Sequence, residues 1–199
     1  MSRSISIRDG KLIYHLTGIE NIENIIREGL LSRSSLLSRN QIFENVADPE
    51  IIRFRREHGL NDYVPFHFFS RNPFDGKVQK MYKEKEFVYL CMYRNKARDM
   101  RFEIIPRHPL NMNPFKMYNY EEGMEIIDWD TMDLREYSNY ECKEICMAEC
   151  VHKGDLGIDN FSGIYVRTNE AKCYVEDILH EYGVTSVSVF LSPNYFVNH

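Results

Sequence analysis

The 199-residue chain has no apolar run near the ~18–20 residues that a bilayer-spanning helix requires. Its opening, MSRSISIRDGK, lacks the apolar core of a signal peptide. Together these absences predict a soluble, cytoplasmic protein with no membrane partner. Only 10 Gly and 7 Pro are present, too few for a fibre or a low-complexity chain. Cys91, Cys142, Cys146, Cys150 and Cys173 make an odd count, which points to reduced thiols rather than a disulfide framework. The every-fourth spacing of Cys142, Cys146 and Cys150 has no second ligand pair elsewhere, so no metal site is expected. Also missing are a phosphate-binding glycine loop, a dinucleotide glycine fingerprint, an H-E-x-x-H helix and a G-x-S-x-G elbow.

What is present is a folded domain. Thirteen Tyr, twelve Phe and a 43% hydrophobic fraction can bury a large core, and the length suits one domain over residues 1–199. The formal charge of −5 argues against nonspecific coating of a duplex. It hides an asymmetry: residues 51–107 carry 13 basic and 7 acidic side chains, whereas 121–150 carry 2 basic and 10 acidic. A basic strip on an acidic protein is therefore expected.

Periodicity predicts a strand over Lys11 to Thr17, with Ile13 and His15 on one face and Tyr14 and Leu16 on the other. A helix over Glu20 to Glu28 should end at Gly29, and a second, capped by Asp48 and opened by Pro49, should end at Gly59. Tyr63 to Phe69 reads as an edge strand or an irregular extended piece, because of Pro65. Phe87 to Tyr93 reads as a strand buried on both faces. Pro106 to Tyr120 reads as loop, Asp133 to Glu144 as helix and Ile145 to Val151 as strand. Strands at Gly163 to Arg167 and Val184 to Leu191 flank a helix from Glu170 to Tyr182. Irregular interleaving of this kind predicts an α+β fold.

Several residues carry chemistry. Glu149 lies in the apolar run ICMAECV, where a carboxylate must be paired, catalytic or turned to solvent. His15 and Thr17 share a strand face just before a turn, a ligand position or a place for a histidine satisfied by backbone. Of Arg53, Arg55 and Arg56, at least one must lie near the apolar stripe of its helix and need an anion, such as a diphosphate or a carboxylate. The stretch from Arg71 to Lys85 interleaves four lysines with Phe74 and Tyr82, as single-stranded nucleic acid or a solvated charged hairpin would have it.

In order along the chain, these pieces resemble the DarT family, toxins that ADP-ribosylate DNA bases with NAD⁺. IYHLTGIENIENIIREGLL is similar to the family's opening, DYVPFHF followed by SRNPF to its D-Y-V-P-F-Y-F stretch, and CMAECV to its closing A-E-F-L-V. The helix bearing Arg55 and the pair Asp128–Trp129 also fit. The resemblance implies an ADP-ribosyltransferase fold, a split mixed sheet with flanking helices and NAD⁺ in a cleft beside the Arg55 helix. Glu149 and Arg55 would be catalytic, and His15, Thr17, Asn21, Gly29 and His67 would hold NAD⁺, with His67 standing where the family has a ring Tyr. Arg71 and His108 would meet the substrate. No metal is implied. The implied substrate is a base in single-stranded DNA, thymine first and guanine second, and the implied partner is a macrodomain antitoxin of the DarG kind. A transferase acting on RNA or protein, or a non-catalytic binding module, would be the rival functions.

Overall fold

Runs of aromatic and β-branched residues alternate with helix starts made by Asn, Ser, Asp and Pro, and the chain folds as one mixed sheet wrapped by short helices. A computed structural model describes residues 6–39 and 49–198. The strands are β1 (Leu12–Gly18), β2 (Tyr63–His67), β3 (Phe87–Tyr93), β4 (Glu103–Ile105), β5 (Tyr118–Asn119), β6 (Glu149–Lys153), β7 (Gly163–Val166) and β8 (Ser188–Leu191). The helices are α1 (Ile22–Glu28), α2 (Arg33–Ser38), α3 (Pro49–Glu57), α4 (Pro73–Met81), α5 (Arg94–Asp99), α6 (Tyr120–Ile126), α7 (Trp129–Leu134), α8 (Tyr140–Ile145) and α9 (Asn169–Glu181). The sheet runs β5-β4-β6-β2-β1-β3-β7-β8, antiparallel throughout except for the parallel pair β7–β8.

The sheet is split at its middle. β1 joins β3 through seven residue pairs but meets β2 only at Tyr14–His67. The split explains a departure from the sequence expectation: Pro65 sits inside the sheet, between β1 and β6, not at an edge. A strand residue's N–H and C=O point to the same side. The Pro65 carbonyl faces β1, so the missing N–H falls where the ladder is already open.

Register then sorts the side chains. Ile13, His15 and Thr17 project from one face of β1, as expected, among the principal core of Val64, Phe66, Leu90 and Ile164. Tyr14, His67 and Glu149 project from the other. That second face carries two separate apolar packs. One, around Tyr89 and Cys91, lies against Val78 of α4 and Phe196; the other, around Ile105 and Val151, lies against Phe54 of α3. His67 and Glu149 occupy the seam between them.

Other expectations are corrected. The helix foreseen over Asp133 to Glu144 is two helices, because Arg135 adopts a left-handed backbone (φ 50) and Asn139 starts afresh by capping the Cys142 N–H. The strand foreseen from Ile145 begins only at Glu149. Cys142, Ile145 and Cys146 are buried at helical spacing, so helix packing overrides the alternation. The 71–85 strip is not a hairpin: Asn72 accepts the Phe74 and Asp75 N–H groups, Pro73 opens α4, and Phe74 and Tyr82 pack inward. The stretch foreseen as loop after Pro106 holds a 3-10 turn and β5, and leads into α6 at Tyr120. Asp48, the foreseen cap of α3, lies outside the described residues.

Arg94 ties the front of the fold together. Buried at 6% exposure, it donates to the carbonyls of Arg8 (2.9 Å), Leu12 (3.0 Å) and Phe68 (2.9 Å) and lies over the rings of Phe68 and Trp129. A lysine cannot reproduce that planar fork. Arg94→Lys should cost about 3 kcal/mol, since buried carbonyls would lose charged donors. For a domain of this size the fall in Tm is roughly 6–12 °C, to be read by scanning calorimetry.

Candidate active site

The centre of the seam is an ion pair. Arg55 donates through Nη1 to both oxygens of Glu149, at 3.1 and 2.8 Å, and the two side chains are 14% and 10% exposed. Of the three clustered arginines, Arg55 alone turns inward. Arg53 lies 3.8 Å from Glu57 on the outer face of α3, and Arg56 is exposed. Phe54 sets that rotation by packing against Ile105 and Val151 of the sheet, and Ile51 is buried as well. Burial works to raise the Glu149 pKa, but Arg55 and His67 outweigh it and hold the carboxyl below the ordinary range. The other terminal nitrogen of Arg55, Nη2, is enclosed and meets no hydrogen-bond partner among the described residues. An enclosed cationic donor of that kind fits an anionic or hydroxylated ligand.

Two histidines flank the pair, and a third bridges the split from the other face of the sheet. His67 is the cross-strand neighbour of Glu149, is buried, and donates its Nδ1 proton to the Ala148 carbonyl at 3.0 Å. His108 is half-buried, its Nδ1 enclosed without a partner among the described residues. Burial depresses its pKa against the pull of Glu144 and Glu149. His15 leaves β1 from the opposite face and donates from Nδ1 to the Pro65 carbonyl at 2.8 Å, bridging the split where backbone pairing stops.

The other candidates lie further out. Thr17 accepts from the Asn21 side chain at 3.1 Å at the end of β1. Gly29 caps α1 with φ 91, and a Cβ there would stand 2.7 Å from the Leu156 carbonyl, so its local demand is for backbone room. Arg71 is exposed and also left-handed (φ 56), its N–H held by the Tyr89 hydroxyl at 3.0 Å and its carbonyl by Tyr137 at 3.3 Å.

Two groups near the site escape a reading of the sequence. Arg33, at the start of α2, is close enough to Arg55 that, with burial, its own pKa is lowered. Asp75 is 1% exposed, and burial raises it to about 6 despite nearby His67 and hydrogen bonds from Tyr89 (3.1 Å) and Asn72 (2.6 Å). The N-P-x-D helix start was the one signal for Asp75. Among the described residues no three His, Cys, Asp or Glu side chains converge on a metal position. No helix among them is long and apolar enough to cross a membrane.

The family model for DarT, the single-stranded DNA thymidine ADP-ribosyltransferases, matches residues 14–197. The chain belongs to the DarT family. Its fold and its activity, ADP-ribosylation of single-stranded DNA, are those the resemblance implied. No curated protein matches the chain in sequence. Among solved structures, Thermus sp. 2.9 DarT in complex with ADP-ribosylated single-stranded DNA is 19% identical, with a TM-score of 0.79 over 99% of this chain and 100% of that one. The same DarT with NAD⁺ is 18% identical, with a TM-score of 0.75 over 95% and 98%. Thermosipho africanus DarTG in complex with ADP-ribose is 18% identical, with a TM-score of 0.70 over 94% of this chain and 51% of that one. At such identities the likenesses establish the fold.

The His15 bridge has a pH signature. Burial lowers the His15 pKa from 6.5 to about 4, with the Pro65 hydrogen bond opposing and His67 adding to the fall. The folded state therefore binds less proton than the unfolded chain between these values. Stability should be complete above pH 6.5 and decline as pH falls toward 4. The loss should be on the order of 2–3 kcal/mol. Thermal unfolding of wild type and His15→Gln across that range should show the slope in the first and its flattening in the second.

Proposed function

We propose that this chain transfers the ADP-ribosyl group of NAD⁺ to thymine in single-stranded DNA, with Glu149 and Arg55 as its catalytic pair. The observation that carries the assignment of residues is the buried two-oxygen contact of Arg55 with Glu149 at the seam of the split sheet. Breaking the nicotinamide–ribose bond builds positive charge on ribose C1. A carboxylate kept ionised and out of water beside that carbon stabilises the charge without reorganising. Arg55 keeps Glu149 ionised, and its enclosed Nη2 offers a donor to the cofactor. His15, Thr17, Asn21 and Gly29 would hold NAD⁺ from the β1 side of the split, and His67 from the β2 side. Arg71, with its guanidinium exposed, suits a DNA phosphate, and His108 suits the incoming base.

The family's description favours thymidine over guanine. A single-stranded or flipped-out base is required, because pairing hides the ring nitrogen that must react. Residues 1–199 would act as one transferase domain in the cytoplasm, where DNA and NAD⁺ meet. The likeness to Thermus DarT with NAD⁺ supports the cofactor, and the likeness to DarTG supports a macrodomain antitoxin as partner.

The test is intact mass of short oligonucleotides, each rich in one base, after incubation with the protein and NAD⁺. One ADP-ribose is expected on the thymine oligonucleotide alone. Glu149→Gln should lower the rate by about 10²–10³, the typical worth of a preorganised electrostatic group. Arg55→Lys should also lose rate, because an ammonium carries all its donors on one nitrogen and leaves none at the Nη2 position. Equal labelling of RNA or protein would move the substrate while keeping the chemistry.

A further inference from the structure

Transfer to thymine leaves a proton to be removed, an inference that rests on the transferase reading above. Thymine joined to deoxyribose has a single N–H, at N3, so N3 can bond to ribose C1 only if that proton finds an acceptor. The two central residues are poor acceptors. Arg55 is a permanent cation. Glu149 shares both oxygens with it and is held below the ordinary carboxylate range. His15 projects from the other face of β1.

His67 is differently placed. It stands beside Glu149 in the β2–β6 register, on the same sheet face, and is 8% exposed. The Ala148 carbonyl can only accept, so the proton of the neutral ring sits on Nδ1 and Nε2 keeps its lone pair. The charged groups that the ring acts on are Glu149 of β6, itself paired with Arg55 of α3, and Asp75 of α4. His15 from β1 and His108 from the segment after β4 complete its titratable surroundings. Asp75 is itself held by Asn72 and Tyr89, which fixes that side of the pocket.

We propose that His67 is a further catalytic residue, the general base that accepts the N3 proton of thymine. The N3–C1 bond forms as the nicotinamide–C1 bond breaks, and the electron pair of the broken bond leaves with nicotinamide. The proton moves to His67 Nε2 and then to water. The products are N3-ADP-ribosylated thymine, nicotinamide and one proton.

The test is single-turnover transfer to a thymine oligonucleotide from about pH 5 to about pH 9. Wild type, His67→Gln, and His67→Ala with and without added imidazole are compared, and NAD⁺ affinity is measured for each. His67→Gln should transfer about 100-fold more slowly, the lower range of general-base effects, and should lose the rise in rate from acid to neutral pH. Imidazole should restore part of the His67→Ala rate, which a purely structural role would not allow. Transfer by His67→Gln within about threefold of wild type, with the acid limb intact, would overturn the assignment. If His67→Gln loses NAD⁺ affinity, the rescue decides: imidazole recovery of His67→Ala supports the base, and its absence removes it. Wild type that labels no oligonucleotide would overturn the transferase reading itself, whereas labelling with His67→Gln unimpaired would overturn this assignment alone.

Discussion

The structure turns on one buried charge pair. Removing two ions from water costs several kcal/mol each, and their mutual attraction repays that only when geometry is good and remaining donors are used. Arg55 and Glu149 meet the first condition with two short contacts to one nitrogen and leave the second open at Nη2. A fold optimised only for stability would have filled that position with apolar side chains. Here the unfinished pair is the part of the molecule that chemistry can use.

Everything that positions the pair is ordinary packing. β6 presents Glu149 because it is held between β4 and β2, and α3 presents Arg55 because Phe54 seats it on Ile105 and Val151. The apolar packs under α3 and α4 remain separate, so neither closes over the seam. Pro65 and His15 keep the sheet split: one removes a ladder donor and the other turns the spare carbonyl into a side-chain contact. Arg94 is the counterexample within the same chain. Its guanidinium donates to three backbone carbonyls, and it acts as a strut.

Charge follows the same division. The acidic stretch 121–150 forms α6, α7 and α8, and its exposed carboxylates face outward while Glu149 turns in. The basic stretch supplies Arg55 to the site, Arg94 to the core and Arg71 to the rim. The lysines of α4 stand on a helix whose aromatic residues are packed, so the interleaved pattern does not make a stacking platform there.

Local signals in the chain determined much of this. The face alternation of β1, the Gly29 cap, the Pro49 helix start and the doubly buried β3 are all read from residues within a few positions of one another. The ordered motifs also pointed to the family. The helix opened by Asn72 and Pro73 was legible too, but the interleaved lysines and aromatics fit a single-stranded nucleic-acid strip or a charged hairpin equally well. Other features depend on partners far away in sequence. Around a helix Arg55 lies about 200° from Arg53 and about 100° from Arg56, and only docking against β4 and β6 decides which one meets a carboxylate 94 positions away. Pro65 looked like an edge residue because an open ladder inside a sheet is invisible until both neighbouring strands are placed. Sequence set which residues were available and what local structure they adopt; tertiary pairing alone determined which two charges would be shut away together, because burial is a property of the whole fold.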